Sequence, residues 1–158
     1  VKSNGEATFY DKRHLFSYSG EDEVYAKGSS RVIVEYRGIR FLLQVCYDLR
    51  FPVFSRNRGD YDAILYVANW PKSRIEAWNA LLKARAIENQ AYVFGLNRTG
   101  TDGNSLEYPD SSFCFFADGK DINQKNGVLV NAELSLTKLN EFREKFRFLN
   151  DRDQFNLL

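Results

Sequence analysis

The residues best placed to do chemistry sit in two short stretches, QVCYDLRFP around Cys46 and YDKRHLF around Lys12 and His14. Cys46 ends an apolar run and directly precedes a chain reversal and a helix opening near Pro52. A thiol at such a point meets backbone N–H groups of the turn, which lower its pKa and can hold an oxyanion. This is the layout of a nucleophile elbow with Cys in place of Ser, without the flanking glycines of that motif. The competing reading is plain packing, because free Cys is among the most buried residue types. Cys114, in SSFCFF, has no turn beside it and reads as core. A Cys nucleophile needs a base and an oxyanion stabiliser. His14, the single histidine, offers a papain-like pair; Lys12 offers an ammonium that favours thiolate and stabilises developing negative charge. A strand through YDKRHLF would put both on one face, and spacing leaves open whether either is instead a solvated Lys or a structural His.

Composition narrows the setting. The 158 residues fit one domain with a sizeable core, and 22 Lys+Arg against 21 Asp+Glu leave a net charge of +1, no field for nucleic acid. One histidine excludes a multi-His metal centre, and two cysteines 68 positions apart make neither a disulfide framework nor a zinc knuckle. No apolar stretch is long enough to span a membrane, and VKSNGEATFYDKR is not a signal peptide, so a cytoplasmic location is expected. The chain starts at Val1 and runs at once into strand-like sequence, which suggests that the beginning of the domain is missing.

The elements that must position Cys46 alternate between strand and helix. RVIVEY (31–36) and IRFLLQVC (39–46) read as a hairpin turning at Arg37-Gly38, the second strand covered on both faces. A short helix follows to Gly59-Asp60, then a buried strand at 63–67 closed by Asn69-Trp70-Pro71. Ser73 is the expected N-cap of a helix over 74–90, whose apolar face of Trp78, Leu81 and Leu82 also carries Arg85 and Asn89. Another buried strand spans 91–96. Residues 112–117 and 127–131 read as a strand pair turning near Asp118-Gly119, and a last helix carries Leu136, Leu139, Phe142 and Phe146. The expected class is α/β, a mixed sheet buried under helices.

Together YDKRHLF, VCYDLRFPVFSRN, YDAILYVANWP, WNALLKARAIENQAYV, NRTGTDGN and LSLTKLNEFREKF resemble the nitrilase superfamily of carbon–nitrogen hydrolases, and within it the omega-amidase branch. The resemblance covers nearly the whole chain in the family's order. It implies an α-β-β-α sandwich with residues 1–158 as its C-terminal portion, and a Glu–Lys–Cys triad without histidine. It also implies hydrolysis of the side-chain amide of a small dicarboxylic acid monoamide such as 2-oxoglutaramate. Cys46 matches the nucleophile and Lys12 the catalytic lysine, with His14 structural. The Tyr47 amide joins Lys12 at the oxyanion. Glu21 best matches a second glutamate that positions substrate and lysine, Glu23 competing. Trp70 is placed to line the substrate pocket or simply to pack. Arg85, Glu88 and Asn89 match a scaffold or subunit-contact motif. A small-molecule amide as partner, a homodimer or higher homo-oligomer, and no cofactor, metal, nucleic acid or membrane are implied. Asp110-Ser111-Ser112 departs from the usual Gly-Asp-Ser or Gly-His-Ser. Eleven residues precede Lys12, and Glu6 is too near it to be the triad glutamate, so the base is expected outside this chain, which alone would be inactive. Rival readings are a nitrilase or N-carbamoyl amide hydrolase with the same triad, or a non-catalytic module of the same fold.

Overall fold

The computed structural model describes the chain apart from Ser3, Gly127, Val128, Leu157 and Leu158, and the side chains of Lys125 and Asn126. Strands β1 (Ile33–Tyr36) and β2 (Ile39–Val45) form the expected hairpin, antiparallel, with Arg37 and Gly38 both at positive φ in the turn. β3 (Ala63–Ala68) and β4 (Tyr92–Asn97) follow β2 in parallel, so the central strands all end on one side of the sheet. The chain before them holds a one-turn helix α1 (Glu21–Val24), and between β2 and β3 lie a 3-10 turn (Cys46–Arg50) and α2 (Pro52–Ser55). Lys12 lies in irregular chain and His14 on a bend, not on the expected strand, so a shared strand face does not exist.

Helix α3 (Ile75–Asn89) crosses from β3 to β4. Its residues Trp78, Leu82 and Ala86 pack on Leu42, Ile64, Tyr66 and Val93 of one sheet face, the alternation of each strand delivering every second side chain to the helix. Ser73 does not cap it. Residues Lys72–Arg74 form a 3-10 turn, Arg74 takes the N-cap position, and no side chain bonds the helix end. The polar residues on the apolar face are paired inside the chain. Arg85 donates to the Leu49 carbonyl at 2.6 Å and to Glu88 at 2.9 Å, while Asn89 accepts the Asn57 N–H at 2.8 Å. Helix α3 therefore clamps the segment after Cys46.

The strand pairing expected at 112–117 and 127–131 is not the observed one. After a small ladder of β5 (Gly100–Thr101) and β6 (Glu107–Tyr108), β7 (Phe113–Phe115) pairs antiparallel with β4 and completes the sheet order β1-β2-β3-β4-β7. β8 (Gln124–Asn126) pairs with β9 (Leu129–Asn131), and Gly127 of the expected strand lies outside the described residues. Helix α4 (Leu136–Lys145), capped by Ser135, brings Leu139 against Ala63, Tyr92 and Phe116 on the second sheet face. Farther along that face Val67 and Leu96 remain 50% and 43% exposed. No helix among the described residues is long and apolar enough to cross a membrane.

Candidate active site

Because β2, β3 and β4 are parallel, their C-terminal ends bring Cys46, Asn69 and Arg98 to one rim, the edge where open α/β sheets place their ligands. A cavity of about 640 Å³ opens there, its wall including Cys46, Lys12, Glu21, Phe16, Asn69 and Val67. Cys46 sits in the left-handed region at φ 46°, a conformation that costs a side-chain-bearing residue about 1–3 kcal/mol and that recurs at functional turns. The strained residue tips the chain from strand into the 3-10 turn and points the thiol into the cavity. Burial pushes the thiol pKa up, while the Lys12 ammonium, the Asn69 backbone N–H and Arg74 pull it down without cancelling that effect. Cys114 is fully buried, and burial lifts its thiol to about 12, the inert thiol expected of core.

Lys12 is held by Glu21. The ammonium donates to Oε2 at 2.5 Å, and the Phe16 N–H donates to the same oxygen at 2.6 Å. Burial raises the Glu21 carboxyl, but these two donors outweigh it and hold the pKa below the ordinary value. Glu23 is exposed and does not reach Lys12. Behind the lysine, the Gly28 N–H donates to the Lys12 carbonyl at 2.9 Å, and a Cβ on Gly28 would come within 2.1 Å of the Asp11 carbonyl oxygen, so only glycine permits this approach.

A residue that sequence reasoning missed joins the two segments. Asp48, wholly buried, accepts the Val45 N–H at 3.0 Å, the Tyr10 hydroxyl at 2.9 Å, the His14 N–H at 2.9 Å and His14 Nδ1 at 2.8 Å. One carboxylate thus brackets Lys12 with Tyr10 and His14 on one side and Cys46 with Val45 on the other. Its position two residues after the cysteine, in a turn, was the available signal. Burial and the Asp48 charge push the Tyr10 hydroxyl well above its ordinary pKa, so it stays a donor. His14 stacks on Phe51 at 4.1 Å and is no part of the cavity wall, so the papain-like pairing with Cys46 does not form.

Tyr47 follows the thiol, its ring against Phe16 at 4.9 Å, and faces a second cavity of about 210 Å³ that shares Cys46, Phe16 and Asn69 with the first. Trp70 is both packed and pocket-lining. It is 3% exposed against Trp78, yet also forms part of the smaller cavity's wall. Asn97 fixes it by accepting the Trp70 N–H at 2.7 Å and donating to the Trp70 carbonyl at 2.8 Å. The departing Asp110-Ser111-Ser112 loop is pinned to the same asparagine. Ser111 Oγ accepts from Asn97 Nδ2 at 3.0 Å and Ser112 Oγ accepts the Asn97 N–H at 3.0 Å.

Residues 2–144 match the carbon–nitrogen hydrolase family. The chain belongs to that family. As a carbon–nitrogen hydrolase it is 52% identical over 160 residues to omega-amidase YafV of Escherichia coli K12, across 99% of this chain and 62% of the relative. It is 38% identical to the 2-oxoglutaramate amidase of Paenarthrobacter nicotinovorans, across 90% of this chain and 51% of the relative. Among solved structures, XC1258 of Xanthomonas campestris, a CN-hydrolase superfamily protein with an arsenic adduct in its active site, superposes with a TM-score of 0.88 at 44% identity, covering 98% of this chain and 62% of that one. This carbon–nitrogen hydrolase therefore has the nitrilase-superfamily α/β fold, and the chain spans 62% of the length of its omega-amidase relative.

Proposed function

We propose that this protein is an omega-amidase, with residues 1–158 the C-terminal portion of its single domain, hydrolysing the side-chain amide of a small dicarboxylic acid monoamide such as 2-oxoglutaramate. The observation that carries the reading is the convergence of Cys46, Lys12 and Glu21 on one cavity at the ends of the parallel strands. Support for the substrate class comes from the relatives that bear those activities in their names. Glu21 is the only carboxylate on that wall among the described residues, and it is committed to Lys12 and the Phe16 amide. We therefore give it the task of positioning the lysine and assign the base to a further glutamate that the family scheme supplies.

The thiol is raised by burial, so it is protonated at neutral pH and needs that base. The base takes the proton as Cys46 Sγ attacks the amide carbonyl carbon. The oxyanion forms between the Lys12 ammonium and the Tyr47 N–H. Collapse breaks the C–N bond, and the proton passes from the base to the departing ammonia, leaving a thioester. Water, deprotonated by the same base, attacks the thioester through a second oxyanion, releasing the carboxylic acid and the reprotonated thiol.

The test is ammonia release from 2-oxoglutaramate, from a nitrile and from an N-carbamoyl acid by the whole protein. Cys46→Ala is expected to abolish turnover while keeping the circular dichroism spectrum; turnover retained in that variant sinks the assignment. Preference for the nitrile or carbamoyl substrate would move the protein to those reactions. No turnover of any would favour a non-catalytic role.

A further inference from the structure

The smaller cavity carries a charge pattern that the chemistry at Cys46 does not use. Two arginines line it, Arg50 after the elbow and Arg74 at the start of α3. Arg50 lies over the Trp70 ring at 5.0 Å and Arg74 over the Phe16 ring at 5.2 Å. Both are partly buried, and neither is ion-paired among the described residues. No acidic residue among the described ones lines the cavity, and the Tyr108 hydroxyl on its wall is spent as a donor to Asp102 at 2.8 Å. Each guanidinium lies over an aromatic ring and lines the cavity, with no carboxylate ion-paired to it among the described residues. Arg74 is near enough for its charge to act on the Cys46 thiol. The cavity wall thus joins the Cys46 thiol to two arginines, with no carboxylate among the described residues that line it.

We propose that Arg74, assisted by Arg50, anchors the carboxylate at the far end of the substrate, making this pocket the origin of selectivity for amides that bear a second, anionic group. The assignment rests on the omega-amidase reading and names the part of the site that reading leaves open. The planar fork matches a carboxylate through two parallel hydrogen bonds, and stacking on Phe16 restrains it before the substrate arrives. An amide of the same length without the carboxylate would leave the forks empty and gain nothing from them.

Steady-state kinetics on the whole protein with two substrates test this: a five-carbon dicarboxylic acid monoamide and pentanamide. Arg74→Gln is expected to raise KM for the acid amide about tenfold to a hundredfold, the range for a charge-assisted hydrogen bond, and to cut kcat/KM for that amide about tenfold or more beyond its effect on pentanamide, which loses only the influence of the Arg74 charge on the thiol. Arg74→Lys, which keeps the charge and loses the fork, is expected to fall between wild type and Arg74→Gln, and it carries the comparison if the glutamine variant does not fold. Equal losses on both substrates, or a preference for the acid amide that survives both variants, overturn the anchor while leaving the omega-amidase reading intact. So does loss of that preference in Arg98→Gln with none in Arg74→Gln. Wild-type protein with no preference for the acid amide overturns both.

Discussion

Burial holds the Cys46 thiol above its ordinary pKa, and the Lys12 ammonium is the strongest influence in the other direction. Replacing Lys12 by Met removes a group that lowers the thiol pKa, so the thiol moves higher still. The pH profile of alkylation by iodoacetamide is expected to shift to the alkaline side, and amide turnover to fall about 10²–10³-fold as the oxyanion loses a donor. An unshifted profile would show that the ammonium is not electrostatically coupled to the sulfur. If His14→Ala proved more damaging than Lys12→Met, the imidazole would be the partner after all. At this scale the candidate nucleophile was legible, because an apolar run that stops in a turn is a local pattern. The choice between Lys12 and His14 was not, since the two lie two positions apart in one short stretch and their partners, Glu21 and Asp48, are chosen by the tertiary fold.

The elements carry the site by their ends. Asn97, at the last position of β4, holds both backbone groups of Trp70 after β3, so two adjacent strand ends are tied by one side chain. Asn97→Leu would take the side-chain partner from the buried Trp70 N–H and carbonyl and one donor from Ser111 Oγ, while Ser112 keeps its bonds to the residue-97 backbone. Urea unfolding is expected to show a loss of about 2–4 kcal/mol; a loss below 0.5 kcal/mol, within the ordinary scatter of surface substitutions, would mean that the strand ends are held by packing alone. The hairpin, the buried strands and helix α3 were all readable from periodicity and turn residues, whereas the parallel order of β2, β3 and β4 was not. The partners of Phe113–Phe115 were not, because an apolar alternating run reports burial and is silent on which strand lies beside it. Ser73 misled for a similar reason. A good capping residue cannot cap when it lies inside the 3-10 turn through which the chain enters the helix.

Across the whole molecule the two halves of the site differ in how they are anchored. Cys46 rides on the central strand order, whereas Lys12 belongs to a stretch whose regular structure before β1 is one 3-10 turn and the single turn of α1. Glu21 fastens that stretch. Its carboxyl is held below the ordinary value, so its contribution is complete above the unfolded pKa of about 4.3 and is lost as pH falls through the lower folded value. Hydrogen exchange is therefore expected to quicken between residues 9 and 30 on acidification while β3 and β4 stay protected. Equal loss of protection in both regions would indicate one cooperative unit.

Asp48 bonds to groups 34 and 38 positions earlier in the chain, so the competent arrangement is a long-range closure and not a local one. Molecules with that closure open keep their sheet yet lack a working site, and their share dilutes the apparent affinity for any ligand. A substrate that touches both Lys12 and Cys46 binds only the closed form. By mass action it must then protect the N-terminal stretch from proteases, even though it adds nothing to the core.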